Sequence, residues 1–128
     1  MKILADTNVI ISALLYPQSK PSLALLHAAR YHELILSDFN IAELRDTVNE
    51  KFPEKNSDLD VLFAVLAFDI VPAPKSPNKL IADPKDSPIL NAAILADVDI
   101  IISGDKHFLN LSMTHPRVLT PAQYLDEV

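Results

Sequence analysis

Ile100-Ile101-Ile102 is three β-branched residues in a row with no polar residue among them. A strand with one face in water alternates apolar and polar residues, so an unbroken run of this kind fits a strand buried on both faces. That requirement narrows the fold, because a doubly covered strand needs helices above and below it. Other short apolar runs answer the same description. Lys2–Ala5 is a short run that ends at Asp6, and Leu34-Ile35-Leu36 is a second. Asp69–Val71 and Val118-Leu119 are shorter candidates for third and fifth strands.

Helix-like segments separate these runs. Val9–Leu15 is apolar nearly all round and reads as a short buried helix. Pro21 suits the first turn of a helix running to about Arg30, with Leu23, Leu26 and Ala29 on one side. Ser37 or Asp38 caps a helix in which Ile41, Leu44, Val48 and Phe52 recur at helical spacing. Ser57 with Asp60 resembles a capping box ahead of Leu59, Leu62, Phe63 and Leu66. Ser87-Pro88 opens a helix to about Ala96, and Thr120-Pro121-Ala122-Gln123 caps a last one. Strands alternating with helices predict a three-layer α/β/α fold with a mainly parallel sheet of four to five strands. The 128 residues are the size of one domain, 1–128, and no repeat or low-complexity linker divides them.

Composition removes several functions. With no cysteine there is no disulfide framework, no thiolate zinc site and no cysteine nucleophile. The single glycine, Gly104, rules out Gly-rich phosphate loops of either common kind. Ten prolines, five of them between Val71 and Pro88, make that connection stiff rather than floppy. No apolar run reaches the length of a membrane span, and the chain's start meets an acid too early for a secretory signal. The expectation is a cytoplasmic protein with no membrane partner. A net charge of −6 argues against simple electrostatic binding of nucleic acid, which needs a basic footprint. A metal-dependent nuclease escapes that argument, because its acids hold cations that meet the phosphate.

Ligands of open parallel sheets bind beyond the carboxyl ends of the strands. Asp6 directly follows the first strand, Asp105 follows the Ile100–Ile102 strand across Ser103-Gly104, and Asp86 precedes a helix. Neighbouring carboxylates repel one another unless a cation lies between them, and Mg²⁺ prefers such hard oxygen donors. Singly, each acid has a bland reading. Asp6 in Asp6-Thr7-Asn8 is a good helix cap, Asp105 a good turn residue, and Asp86 a loop acid near a helix N-terminus. Glu43 lies opposite the Ile41/Leu44/Val48 stripe, where periodicity places a solvated face. Their joint placement carries the metal reading. Asp99, ahead of its strand, belongs to the opposite strand end, and His107 reads as a solvated loop residue beside Asp105 rather than a general base.

The same residues resemble the motifs of the PIN-domain family. Asp6-Thr7-Asn8-Val9-Ile10-Ile11-Ser12-Ala13-Leu14 is similar to its opening motif, and Ser37 followed by Ile41-Ala42-Glu43-Leu44 to its second. Asp83-Pro84-Lys85-Asp86 with Ala92-Ala93-Ile94-Leu95-Ala96 resembles the third, and Ile101-Ile102-Ser103-Gly104-Asp105 the fourth. The ending Val118-Leu119-Thr120-Pro121-Ala122-Gln123 is also similar. The resemblance covers essentially the whole chain and is strongest to the short VapC-like toxin components of prokaryotic toxin–antitoxin pairs.

It implies that Asp6, Glu43, Asp86 and Asp105 bind one or two Mg²⁺ or Mn²⁺ ions and hydrolyse RNA. It also implies that Thr7, Asn8 and Ser103 orient the acids or a metal-bound water. Asp83 competes with Asp86 for the third acidic position. A small antitoxin covering the acidic cleft and a homodimer are further implications. The competing function is a non-catalytic PIN-like scaffold that binds RNA or a protein. An aspartyl-phosphate phosphatase is discounted, because Asn8 stands where that chemistry wants a second acid.

Overall fold

The computed structural model describes residues 1–73, 87–110 and 114–127. Five strands form one sheet: β1 (Lys2–Ala5), β2 (Glu33–Ser37), β3 (Asp69–Val71), β4 (Ile100–Ile102) and β5 (Arg117–Leu119). Their order is β3-β2-β1-β4-β5, and every pairing is parallel. Ile3 pairs with Leu34 on one side and with Ile100 on the other, so β1 is the centre of the sheet. The expectation of a parallel α/β sheet of four to five strands is met.

Successive residues of each strand serve opposite faces. Ile3, Ala5, Leu34, Leu36, Ile100 and Ile102 belong to one core, and Leu4, Ile35 and Ile101 to the other. The first core is closed by α1 (Thr7–Leu15), α2 (Lys20–Tyr31), Leu44 of α3 (Asp38–Lys51) and Tyr124 of α7 (Pro121–Glu127). The second is closed chiefly by α5 (Ser87–Leu95), together with Phe108 of the four-residue α6 (Lys106–Leu109). Leu14, Val48 and Leu59 form a satellite core where α4 (Asn56–Val65) meets α1 and α3. The three isoleucines of β4 are 4, 0 and 0% exposed, so burial stabilises by about 1.5–3 kcal/mol at each.

Three local expectations change. The first concerns α2, whose Leu23 and Leu26 are 49 and 46% exposed while Leu25 is 1% exposed. The buried side of this helix is Ser22, Ala24, Leu25 and Ala28. Leu23-Ala24-Leu25-Leu26 is apolar on every side, and small alanines let α2 approach the sheet more closely than a leucine face would.

The second concerns α4, which uses no Ser57–Asp60 capping box. A 3-10 turn at Pro53–Lys55 runs directly into it, so Asn56 is already helical and no side chain caps the start. Asp60 pairs with Arg45 at 2.7 Å instead. The third is α6, a helical turn absent from the sequence reading, whose amides Phe108 and Leu109 bond to the Asp105 carbonyl.

The caps at Ser37 and Thr120 form as expected. Thr120 Oγ1 accepts from the Gln123 amide, and Gln123 Oε1 accepts from the Thr120 amide. The proline-rich stretch expected to be stiff lies mostly outside the described residues.

Candidate active site

The strand order places a topological switch point between β1 and β4. From β1 the chain first moves outward through β2 and β3, then returns to lay β4 on the other side of β1. Helices therefore leave β1 and β4 on diverging paths, and a crevice opens beyond their carboxyl ends. Asp6 and Ser103 are the residues that follow these two strands. The Asp6 amide bonds to the Ile102 carbonyl at 2.9 Å, which fixes the two strand ends in register.

Asp6 stands at the N-cap position of α1, yet its side chain makes no cap hydrogen bond. Its Oδ2 accepts from the Ser103 hydroxyl at 2.9 Å, and the residue is 2% exposed. Burial pushes the carboxyl up to about 6, against an ordinary 3.8. The Ser103 hydroxyl and the Thr7 backbone N–H pull it down, while the charges of Asp105 and Glu43 push it up. Among the described residues no Lys or Arg pairs with it. A desolvated carboxylate beside two others, with no cationic partner of its own, is an arrangement a divalent ion would relieve.

Ser103 is fully buried and joins two of the acids. Its hydroxyl donates to Asp6 and accepts from the Asp105 amide at 3.0 Å. Both hydrogen-bonding capacities of one side chain thus hold the Asp6 carboxylate and the backbone that carries the Asp105 carboxylate.

Glu43 arrives from the second turn of α3. It is half-buried and close enough to act on Asp6, so the solvated-face reading of this position is corrected. Of the apolar stripe of α3, Leu44 joins the core on the sheet and Val48 the satellite core.

The start of α3 is tied down by Asn40, a residue the sequence reading did not single out. Asn40 Oδ1 accepts from the Ser37 amide at 3.0 Å and hydroxyl at 2.8 Å, and the Asn40 amide donates to Ser37 Oγ at 3.0 Å. This is a capping box with Asn in the place usually taken by Glu or Gln. Asn40 Nδ2 then donates to Thr7 Oγ1 at 2.9 Å, locking α3 to α1. Ser37-x-x-Asn40 has the capping spacing, and that was the signal available in the sequence.

Asn8 is exposed and makes no hydrogen bond through its amide within the described residues, so it does not brace Asp6 in this structure. Asp83, Asp86 and Lys85 lie outside the described residues. Asp99 bonds to the Lys2 amide at the opposite strand ends, as expected. Arg45 is engaged by Asp60 and lies over the Phe63 ring. Lys106 is exposed beside Asp105.

A cleft of about 280 Å³ opens beside Asp105, walled by the starts of α1, α2 and α7. Among the described residues no three Asp, Glu or His side chains stand close enough together to grip an ion directly. The donor set is nonetheless of the type that suits Mg²⁺, which is commonly held through one or two carboxylates while keeping several waters.

The fold has counterparts among known proteins. A family model described as "PIN domain" matches residues 2–107. An uncharacterised protein of Methanocaldococcus jannaschii is 26% identical over 142 residues, covering 99% of this chain and 91% of that protein. A chain of the VapBC2 crystal structure from Rickettsia felis, solved bound to a DNA fragment from their promoter, superimposes with a TM-score of 0.74. It is 18% identical, over 94% of this chain and 98% of that one, and so speaks for the fold.

Proposed function

The chain belongs to the PIN-domain family, and on that premise we propose that it is a metal-dependent endoribonuclease, the toxin of a toxin–antitoxin pair. The observation that carries this reading is the buried Asp6 carboxylate, held at the switch point with Glu43 and Asp105 within electrostatic reach and no cationic partner among the described residues. Asp6, Glu43 and Asp105 would hold Mg²⁺ or Mn²⁺, with Asp86 (or Asp83) as the further acid. A divalent ion bound there supplies a water of lowered pKa and offsets charge on the phosphoryl oxygens.

The chain's own residues hold the geometry. Ser103 aims Asp6 by donating to its Oδ2, and the same hydroxyl fixes the Asp105 amide. Thr7 is held by Asn40, so the turn from β1 into α1 cannot drift from the start of α3. In hydrolysis the water oxygen forms a bond to phosphorus, the bond from phosphorus to the ribose oxygen breaks, and that oxygen takes a proton. No protein nucleophile is needed, in keeping with the absence of cysteine. Asn8, whose amide makes no hydrogen bond among the described residues, would meet a water or the substrate rather than orient an acid.

The remaining parts of the reading are a small antitoxin covering the acidic cleft, a homodimer and a cytoplasmic setting. The VapBC2 likeness supports the antitoxin, through the assembly named for that protein. Among the described residues no helix is long and apolar enough to cross a membrane. A short open reading frame beside the gene, whose product co-purifies with the chain, would supply the antitoxin.

One observation favours a non-catalytic scaffold that binds RNA or a protein: the described acids form no tight three-residue ligand group. Calorimetric titration of Mn²⁺ into wild type and Asp6→Asn, followed by assay on a pool of structured RNAs, decides between the two. The nuclease reading expects Mn²⁺ binding and Mn²⁺-dependent cleavage in wild type, both weakened in the variant. A folded wild type that binds no Mn²⁺ leaves the scaffold as the better account.

A further inference from the structure

The cleft beside Asp105 differs in character from the acidic centre it adjoins. Its walls are Val9 of α1, Pro21 of α2 and Pro121 of α7, and it is floored by Gly104 and Asp105 after β4. Two polar side chains face it, Asn8 and Ser12. Neither the Asn8 amide nor the Ser12 hydroxyl has a hydrogen-bond partner within the described residues. Among the described residues no Lys or Arg lines the cleft, and Asp105 is the one charged residue on its wall.

A phosphate would find no Lys or Arg among the described lining residues, and a sugar would leave the apolar walls uncovered. A flat, uncharged group with polar edges answers both features. Nucleobases have that form: apolar faces that stack on flat side chains and an edge carrying adjacent donors and acceptors. An Asn amide offers one donor and one acceptor side by side, which pairs bidentately with a base edge. The volume, about 280 Å³, is just under the range of about 300–1,000 Å³ typical of small-molecule sites, which suits a single base rather than a larger ligand.

We infer that this cleft is a nucleobase subsite: it receives the base of a nucleotide next to the scissile phosphate, with Pro21 and Pro121 against its faces and Asn8 and Ser12 on its edge. The inference rests on the ribonuclease reading for the position of the phosphate, and on the cleft itself for the base. Asp105 belongs to both places, lining the cleft and acting on Asp6, so a nucleotide bridging them spans one residue of wall. It also accounts for how an acidic chain holds RNA: through a base, where most nucleic-acid binders use phosphate contacts.

The test has two arms. In the first, each of the four ribonucleosides and ribose 5-phosphate are titrated separately into the protein without added metal. Side-chain amide resonances of Asn8 are followed by NMR. At least one nucleoside is expected to shift the Asn8 amide, with ribose 5-phosphate leaving it unmoved. Equal shifts from ribose 5-phosphate, or no shift from any nucleoside, would overturn the subsite.

In the second arm, cleavage sites are sequenced on a random RNA pool in Mn²⁺. Wild type should prefer certain bases at one position beside the cut, and Asn8→Ala should flatten that preference about 5- to 10-fold, the loss of one or two hydrogen bonds. Mn²⁺ binding by Asn8→Ala is read by calorimetry alongside, and base preference is compared at Mn²⁺ concentrations that saturate each protein. Nucleoside binding at Asn8 with no cleavage of any RNA would retain the subsite and sink the nuclease; cleavage with no base preference would retain the nuclease and sink the subsite.

Discussion

At the scale of single residues, Asp6 is the side chain under most electrostatic stress among the described residues. Burial pushes its carboxyl up to about 6 against an ordinary 3.8, outweighing the hydrogen bonds from Ser103 and Thr7. A raised carboxyl binds more protons in the folded state than in the unfolded one. Stability from this group is therefore full below about pH 4 and lost as pH rises through about 6. At about 1.4 kcal/mol per pH unit, the ionised group costs about 2–3 kcal/mol at neutral pH. Asp6→Asn removes that charge and keeps an acceptor for Ser103. Metal-free Asp6→Asn should be more stable than wild type by about that amount at pH 7.5, with the gap closing near pH 4. Urea midpoints at both pH values would read this, and identical midpoints at pH 7.5 would refute it.

Ser103 makes the complementary prediction. Ser103→Ala takes one donor from the buried Asp6 carboxylate and an acceptor from the half-buried Asp105 amide and should cost about 2–3 kcal/mol, weakening Mn²⁺ binding with it. Ser103→Thr keeps the hydroxyl and should bind Mn²⁺ as wild type does; calorimetry on the pair separates the hydroxyl from side-chain volume.

At the scale of elements, the joint between β2 and α3 positions the site. Asn40 closes the capping box with Ser37 and reaches across to Thr7, so one amide joins a strand end and two helices. Asn40→Ala leaves the Thr7 hydroxyl and the Ser37 amide without these partners and should destabilise by about 2–4 kcal/mol. Since Glu43 lies in the next turn, Mn²⁺ affinity should fall as well. Loss of stability with unchanged Mn²⁺ affinity would mean that Glu43 is not placed through this joint. This joint was only half legible in the sequence. Ser37 announced the cap, but Asn40 reads equally well as a solvated residue until Thr7, 33 positions away, is brought beside it.

Glu43 shows a related limit. Helical periodicity says which residues face the core, but a residue off that stripe is solvated or functional according to what lies beside it in the fold. On α2 the limit is different, because a helix apolar on all sides has no face to read until packing selects the small residues. The strands were the clearest part of the reading, since short doubly buried runs admit few alternatives.

For the whole molecule, the sheet order was beyond reach of local patterns. Strand positions do not say that β4 returns to the far side of β1, and that return is what creates the crevice. Asp6 and Asp105 could be assigned to one sheet edge from the parallel topology alone; their meeting through Ser103 could not. The charge of the whole chain sets a further expectation. A net −6, with Arg45 already engaged by Asp60, leaves few cations to displace counterions from RNA. The apparent KM for a single-stranded RNA should rise less than about tenfold between about 50 and 200 mM salt, equivalent to roughly two phosphate contacts or fewer. A steeper dependence would point to a basic surface contributed by a partner.

The hydrogen bond between Asp6 and Ser103 spans 97 positions of sequence. During synthesis the first acid leaves the ribosome long before its bridge exists, and at about 5–20 residues per second the interval is on the order of 5–20 s. Throughout it β1 has no β4 to pair with, and the carboxylates cannot assemble. On the proposed ribonuclease reading, the nascent chain is harmless to the messenger it is being read from, and the site is armed only once the segment through Asp105 has been made.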